Sequence, residues 1–184
     1  MSLSKKFLLL ATLPLALSGC KTVSGVFEQK KNIGPCPAAL VLWDASRKVE
    51  IHGAEKYDNV GFTAEVLGTR SFCKYSGTRP LTADLDIDLA FGRGPAAVGD
   101  SKEYKYFVAV VRKKLVVIDK QFFTINVKFK PGQSIVRKTE HFGNITIPRA
   151  KENTSGTNFE IIVGLDLTPE ELEFSRSGKR FRIN

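Results

Sequence analysis

"TADLDIDLAF", residues Thr82–Phe91, decides the fold. Ala83, Leu85, Ile87, Leu89 and Phe91 share one parity, and Asp84, Asp86 and Asp88 share the other. Successive side chains of a strand point to opposite faces, so the stretch predicts an antiparallel strand with one apolar and one wet face.

The same period runs outward from it. "FFTINVKFK" puts Phe123, Ile125, Val127 and Phe129 inward and Thr124, Asn126 and Lys128 outward. "NFEIIVGLDL" brings Phe159, Ile161, Val163, Leu165 and Leu167 into register. Further strands are expected at Ala38–Trp43, Lys48–His52, Val60–Gly68, Tyr104–Arg112, Leu115–Ile118 and Gly143–Ile147, with Trp43 in the core. Turn signals "SGTRP", "GRGP", "KPGQ" and "ENTSGTN" separate them. The expectation is an all-β, antiparallel two-sheet sandwich, immunoglobulin-like or similar. One short helix is predicted in "LTPEELEFSR", where Thr168 can cap, Pro169 can take the first helical position and Glu170 and Glu171 favour the amino end.

The chain opens differently. Lys5 and Lys6 precede an apolar stretch from Phe7 to Leu17, too short to span a bilayer, and the small residues Ser18-Gly19 follow. Leu17-Ser18-Gly19-Cys20 resembles the lipobox of bacterial lipoproteins. That resemblance implies cleavage before Cys20 and acylation of its thiol and freed amine. Each buried methylene contributes about 0.8 kcal/mol, so two or three chains hold a protein on a bilayer for practical purposes permanently. Lys21, rather than aspartate, follows Cys20. By the enteric sorting rule this implies the periplasmic face of the outer membrane.

Several features together resemble a group of small alphaproteobacterial outer-membrane-type lipoproteins of unknown function. They are the lipobox, the early "CP" at Cys36-Pro37, a second cysteine at Cys73, "YFVAVV" and "FEIIVGLDLTPEELEF". These motifs are structural and carry no catalytic residues. The expected organisation is a signal peptide at 1–19, a lipidated tether at 20–35, a β-sandwich at 36–175 and a basic tail at 176–184.

The 184 residues carry a formal charge of +9, falling to +7 once Lys5 and Lys6 are removed. A basic protein gains from attraction to anionic lipid or a polyanionic wall, but net charge alone names no partner, and the export signal argues against nucleic acid. With Cys20 lipidated, Cys36 and Cys73 remain, an even pair in an oxidising compartment. A bridge between them would close a loop of about 38 residues, worth roughly 4 kcal/mol by chain entropy. Two separate buried thiols are the alternative.

No catalytic or metal site is expected, and no cofactor. Asp84, Asp86 and Asp88 lie roughly 7 Å apart along a straight strand and converge poorly on a cation. A solvated face or cross-strand pairing with lysines suits them better. His52 and His141 have no nucleophile context, "GTRSFCKYSG" lacks the G-x-S-x-G elbow, and "GRGP" precedes no helix. Basic clusters at Arg112, Lys113 and Lys114 and at Lys179, Arg180 and Arg182 are the candidate contacts to an anionic surface. The function expected is a non-catalytic envelope lipoprotein acting as an adaptor or structural module. It would be anchored to the membrane by lipid, with an envelope protein or anionic glycolipid as partner. The alternatives are a carrier of an apolar ligand held between the sheets and, behind it, a metal-dependent hydrolase using the aspartate ladder.

Overall fold

The alternating aspartate run is the middle of a 13-residue strand, Leu81–Arg93, hydrogen-bonded to a neighbour on each side. A computed structural model of the chain describes residues 34–77, 79–114, 116–179 and 181. Cys20, with the expected signal and the part of the expected tether before residue 34, lies outside the described residues, as do Arg180 and Arg182. In chain order the strands are β1 (Ala38–Val41), β2 (Arg47–Ile51), β3 (Val60–Lys74), β4 (Leu81–Arg93), β5 (Ser101–Arg112), β6 (Val116–Lys128), β7 (Ile135–Ile147) and β8 (Phe159–Leu165). Helix α1 (Pro169–Arg176) follows them.

The strands form two four-stranded sheets, a first of order β1-β8-β5-β6 and a second of order β2-β3-β4-β7. The expected two-sheet sandwich is the fold. One pairing departs from the antiparallel expectation: β1 runs parallel to β8, with Ala38 opposite Glu160 and Val41 opposite Val163. Alternation shows that a strand has a wet face but not which way its neighbour runs. β1 also leads into the other sheet rather than into a hairpin that would fix its direction.

The core lies between the sheets. Leu85, Ile87 and Leu89 of β4 face Tyr106 of β5, Val127 of β6 and Ile161 and Leu165 of β8 across one cluster, all at 2% exposure or less. Each such side chain contributes about 1.5–3 kcal/mol on burial. On the outer side of the first sheet Gly164 lets the Phe107 ring approach β8 closely. A Cβ at that position would sit 2.7 Å from the ring.

Three strands run further than their alternation suggests. β3 continues past Gly68, where a bulge between Val66 and Gly68 breaks the period. β6 joins the short run expected at Leu115–Ile118 to the later alternating stretch, because every residue from Val116 to Phe122 is exposed and no period survives there. The segment expected at Gly143–Ile147 is only the last part of β7.

Trp43 is a correction. β1 ends at Val41, and Trp43 opens a 3₁₀ turn, Trp43–Ala45, by which the chain crosses between sheets. The indole is 65% exposed, with the Arg47 guanidinium 4.8 Å from its ring centre. The small Ala45 is buried beside Phe107 instead. A corner this short has room inside for a methyl group, not for an indole.

Two devices fix the ends of the domain. Cys36 and Cys73 are disulfide-bonded, Cα to Cα 5.5 Å, tying the chain's entry to the end of β3. At the other terminus Thr168 caps α1 through its hydroxyl, and the Glu171 carboxylate reaches back to the Thr168 amide.

Candidate functional site

The aspartate ladder is satisfied strand by strand. Asp88 accepts from Arg70 on β3 and from the Thr139 hydroxyl on β7 at 2.8 Å. Asp86 meets His141 Nδ1 at 2.7 Å and Arg70 at 3.7 Å. Asp84 accepts from the Asn144 amide at 3.1 Å, where a bulge sets Gly143 and Asn144 opposite one β4 residue. Asn144 takes φ 61° there, the left-handed region that asparagine tolerates. Arg70 and the Thr139 hydroxyl hold the Asp88 carboxyl below the ordinary aspartate range. The cross-strand partners are thus an arginine, a threonine hydroxyl, a histidine and a backbone amide rather than lysines. Among the described residues no group of three His, Cys, Asp or Glu side chains converges on a cation position. His52 sits apart, 3.2 Å from Glu50.

Chain entry and one basic cluster share an end of the sandwich. The Tyr75 hydroxyl donates to the Pro35 carbonyl and accepts from the Gly156 amide, each at 2.7 Å. Two residues on, the Asn158 carbonyl accepts from the Lys113 amide at 2.9 Å, so the β5–β6 turn abuts the same loop. Arg112 faces Phe159, Lys113 lies 3.6 Å from Glu160, and Lys114 turns the hairpin at φ 58°. Arg149 joins them, its guanidinium 5.0 Å from the centre of the Tyr75 ring and bonded to the carbonyls of Gly77 and Arg79. Lys179, expected with Arg180 and Arg182 as the second candidate contact to an anionic surface, lies elsewhere. It pairs with Glu55 in the loop before β3, at the opposite end of that 15-residue strand. Lys179 therefore does not share a surface with Arg112, Lys113 and Lys114.

Two further surfaces carried no sequence motif. The outer face of the first sheet is apolar: Leu40 of β1, Ile162 of β8, Phe107, Ala109 and Val111 of β5, and Val117 and Phe122 of β6 share it by register. Phe122 is 56% exposed and Val117 55%. Lys120 lies across this face, its ammonium 4.1 Å from the Phe107 ring centre and 4.9 Å from that of Phe122. On the outer face of the second sheet, the β4 positions that follow Asp84, Asp86 and Asp88 are Ala90 and Gly92. Where the carboxylates stop, a groove of about 430 Å³ opens beneath α1. The sign of either surface in the sequence is faint: consecutive apolar residues in "KKLVVIDKQFF", and small residues ending an aspartate ladder.

No protein family, no curated protein and no solved structure matches the chain. Fold and surfaces define a two-sheet β-sandwich whose polar ladder is paired internally. Among the described residues its open surfaces include an apolar sheet face, a basic end and a groove. Among the described residues no helix is long and apolar enough to cross a membrane.

Proposed function

We propose that the protein is a non-catalytic, lipid-anchored envelope module that works by contact, held through Cys20 on the periplasmic face of the outer membrane. The observation that carries this reading is the shared end of the sandwich. The chain enters at Pro35-Cys36 beside Tyr75, and the loop that receives it also receives the Arg112-Lys113-Lys114 turn. A tether leaving from that end turns the basic turn toward the bilayer, where each basic residue near an anionic surface contributes about 1 kcal/mol. The apolar outer face of the first sheet then stands clear of the lipid, and its exposed aromatic and aliphatic groups suit a protein partner with an apolar centre and an acidic rim facing Lys120.

Membrane fractionation and vesicle flotation test the reading. Cys20→Ser should leave an unprocessed or soluble chain. With the anchor removed, residual flotation on anionic vesicles should fall when Arg112, Lys113 and Lys114 are changed to glutamate and persist when Lys179 is. A Cys20→Ser protein still processed and membrane-bound would end the anchor proposal. Loss of flotation on changing Lys179 alone would reverse the orientation.

A further inference from the structure

We infer that the groove between α1 and the second sheet is a binding site for an amphipathic anion, an apolar body with a carboxylate or phosphate head. This goes beyond the proposed function and does not depend on it. The floor is made by Ala90 and Gly92, outward-facing residues of a strand whose earlier outward positions are aspartates. Their small side chains leave the space, and Phe174 and Phe181, stacked with ring centres 6.1 Å apart, form an apolar wall on the helix side. At about 430 Å³ the groove falls in the range of small-ligand sites.

Its polar equipment is asymmetric. Arg47, Lys48, Arg137 and Lys179 line it, against the single carboxylate of Glu65. Lys48 and Lys179 are engaged by Glu171 and Glu55, and the Arg47 guanidinium lies over Trp43. Arg137 is exposed at the rim, without an ion-pair partner among the described residues.

The second, independent observation is Ser175. It is only 4% exposed, it lines the groove, and among the described residues its hydroxyl has no hydrogen-bond partner, not even the helix carbonyl one turn back. Buried hydroxyls are almost always paired, because leaving one unpaired forfeits its hydration for nothing. An acidic head group at the rim would meet the Arg137 charge, with its chain along the Phe174–Phe181 wall, and a turn of the Ser175 side chain, closed off from the groove as it stands, would let that hydroxyl donate to the same head. Electrostatics then choose the head, and the small floor chooses a slim body.

Calorimetric titration of the full chain with decanoate, decyl phosphate, decanol and decyltrimethylammonium, each below its aggregation concentration, tests this. The two anions should bind, whichever of them is tighter telling a fatty carboxylate from a phosphate head. The alcohol and the cation should bind at least tenfold more weakly. Ala90→Phe should abolish anion binding by filling the floor. Arg137→Glu, a rim change that leaves folding intact, should weaken it at least tenfold. Ser175→Ala should weaken binding while raising the melting temperature of the free protein, a pairing of effects that a purely structural serine would not give. Equal binding of decanol and decanoate, or unchanged binding in both Ala90→Phe and Arg137→Glu, would overturn the proposal. So would binding that appears only after residues 182–184 are removed, since the groove would then be the tail's own seat.

Discussion

The hydroxyl of Tyr75 and the carbonyl of Pro35 are hydrogen-bonded at 2.7 Å, joining the end of β3 to the point where the chain enters the domain. The same oxygen accepts from the Gly156 amide, and a Cβ on Gly156 would lie 2.6 Å from Pro35 O. Tyr75 is 5% exposed, so Tyr75→Phe leaves a buried amide and a carbonyl unpaired with little change in volume. A loss of about 1–3 kcal/mol in urea unfolding is expected, with faster hydrogen exchange at Gly156. Removing the neighbouring disulfide by Cys36→Ala/Cys73→Ala should cost up to about 4 kcal/mol. A Tyr75→Phe protein as stable as the parent would show that the hydroxyl does not hold the entry.

The ladder gives a pH dependence of known sign. Arg70 and Thr139 favour the charged form of Asp88, so its folded pKa lies below the unfolded one, about 3.9. The stabilisation is present above that value and is lost as pH falls through the folded pKa. Arg70→Ala should move the Asp88 carboxyl upward in a carbon-detected NMR titration. The effect on stability should be small, since Asp88 is exposed to solvent screening. An unchanged titration in Arg70→Ala would exclude the pair as the cause.

The approach of Phe107 over Gly164 is a packing device open to direct test. Gly164→Val would place branched carbons inside the ring's contact distance, where even a Cβ meets Phe107 at 2.7 Å and Ala45 at 3.1 Å. Overpacking of this kind costs about 1–3 kcal/mol. Thermal unfolding should show the loss, and Gly164→Val combined with Phe107→Leu should recover part of it. Absence of any recovery would place the strain elsewhere.

Much of the sandwich is legible in the chain because its inner strands have one dry and one wet face. β4 and β8 carry that contrast in every pair of residues, and the Cys36–Cys73 bridge and the Thr168 cap follow from local chemistry. What the sequence hides is physical in each case. The first half of β6 is wet on both faces, so no period marks it. Trp43 looks like core by composition, but the corner between sheets decides its place. The groove depends on Ala90, Gly92, Arg137 and Ser175, which come from three elements and share no spacing. Only the fold brings them together.

Helix α1 links the cap to the groove. Thr168→Ala removes the hydroxyl that pairs with the Glu171 amide and should cost about 1 kcal/mol. The helix is eight residues long, so fraying its first turn loosens the roof that carries Phe174 and Ser175. Decanoate binding should weaken in proportion, while the disulfide and the sheet amides keep their exchange protection. Full binding with a frayed helix would show that α1 does not shape the groove.

The contact reading and the hydrolase reading separate in one pair of variants. Asp84→Asn/Asp86→Asn/Asp88→Asn removes the charges that meet Arg70 and His141 and disturbs cross-strand pairing, so a modest fall in melting temperature is expected. Crosslinking to partners in intact cells should persist, because those side chains are already committed to β3 and β7. Val117→Ser/Phe122→Ser instead alters exposed positions on the outer face of the first sheet. Changes at exposed sites usually shift stability by within about 0.5 kcal/mol, so this variant should fold as the parent does. It should lose crosslinked partners and the cellular phenotype together, since the exposed ring is the part of that face available to anchor a partner. Were the aspartate variant to lose function while Val117→Ser/Phe122→Ser kept both partners and phenotype, the contact reading would fall and the ladder would return as a catalytic or metal site.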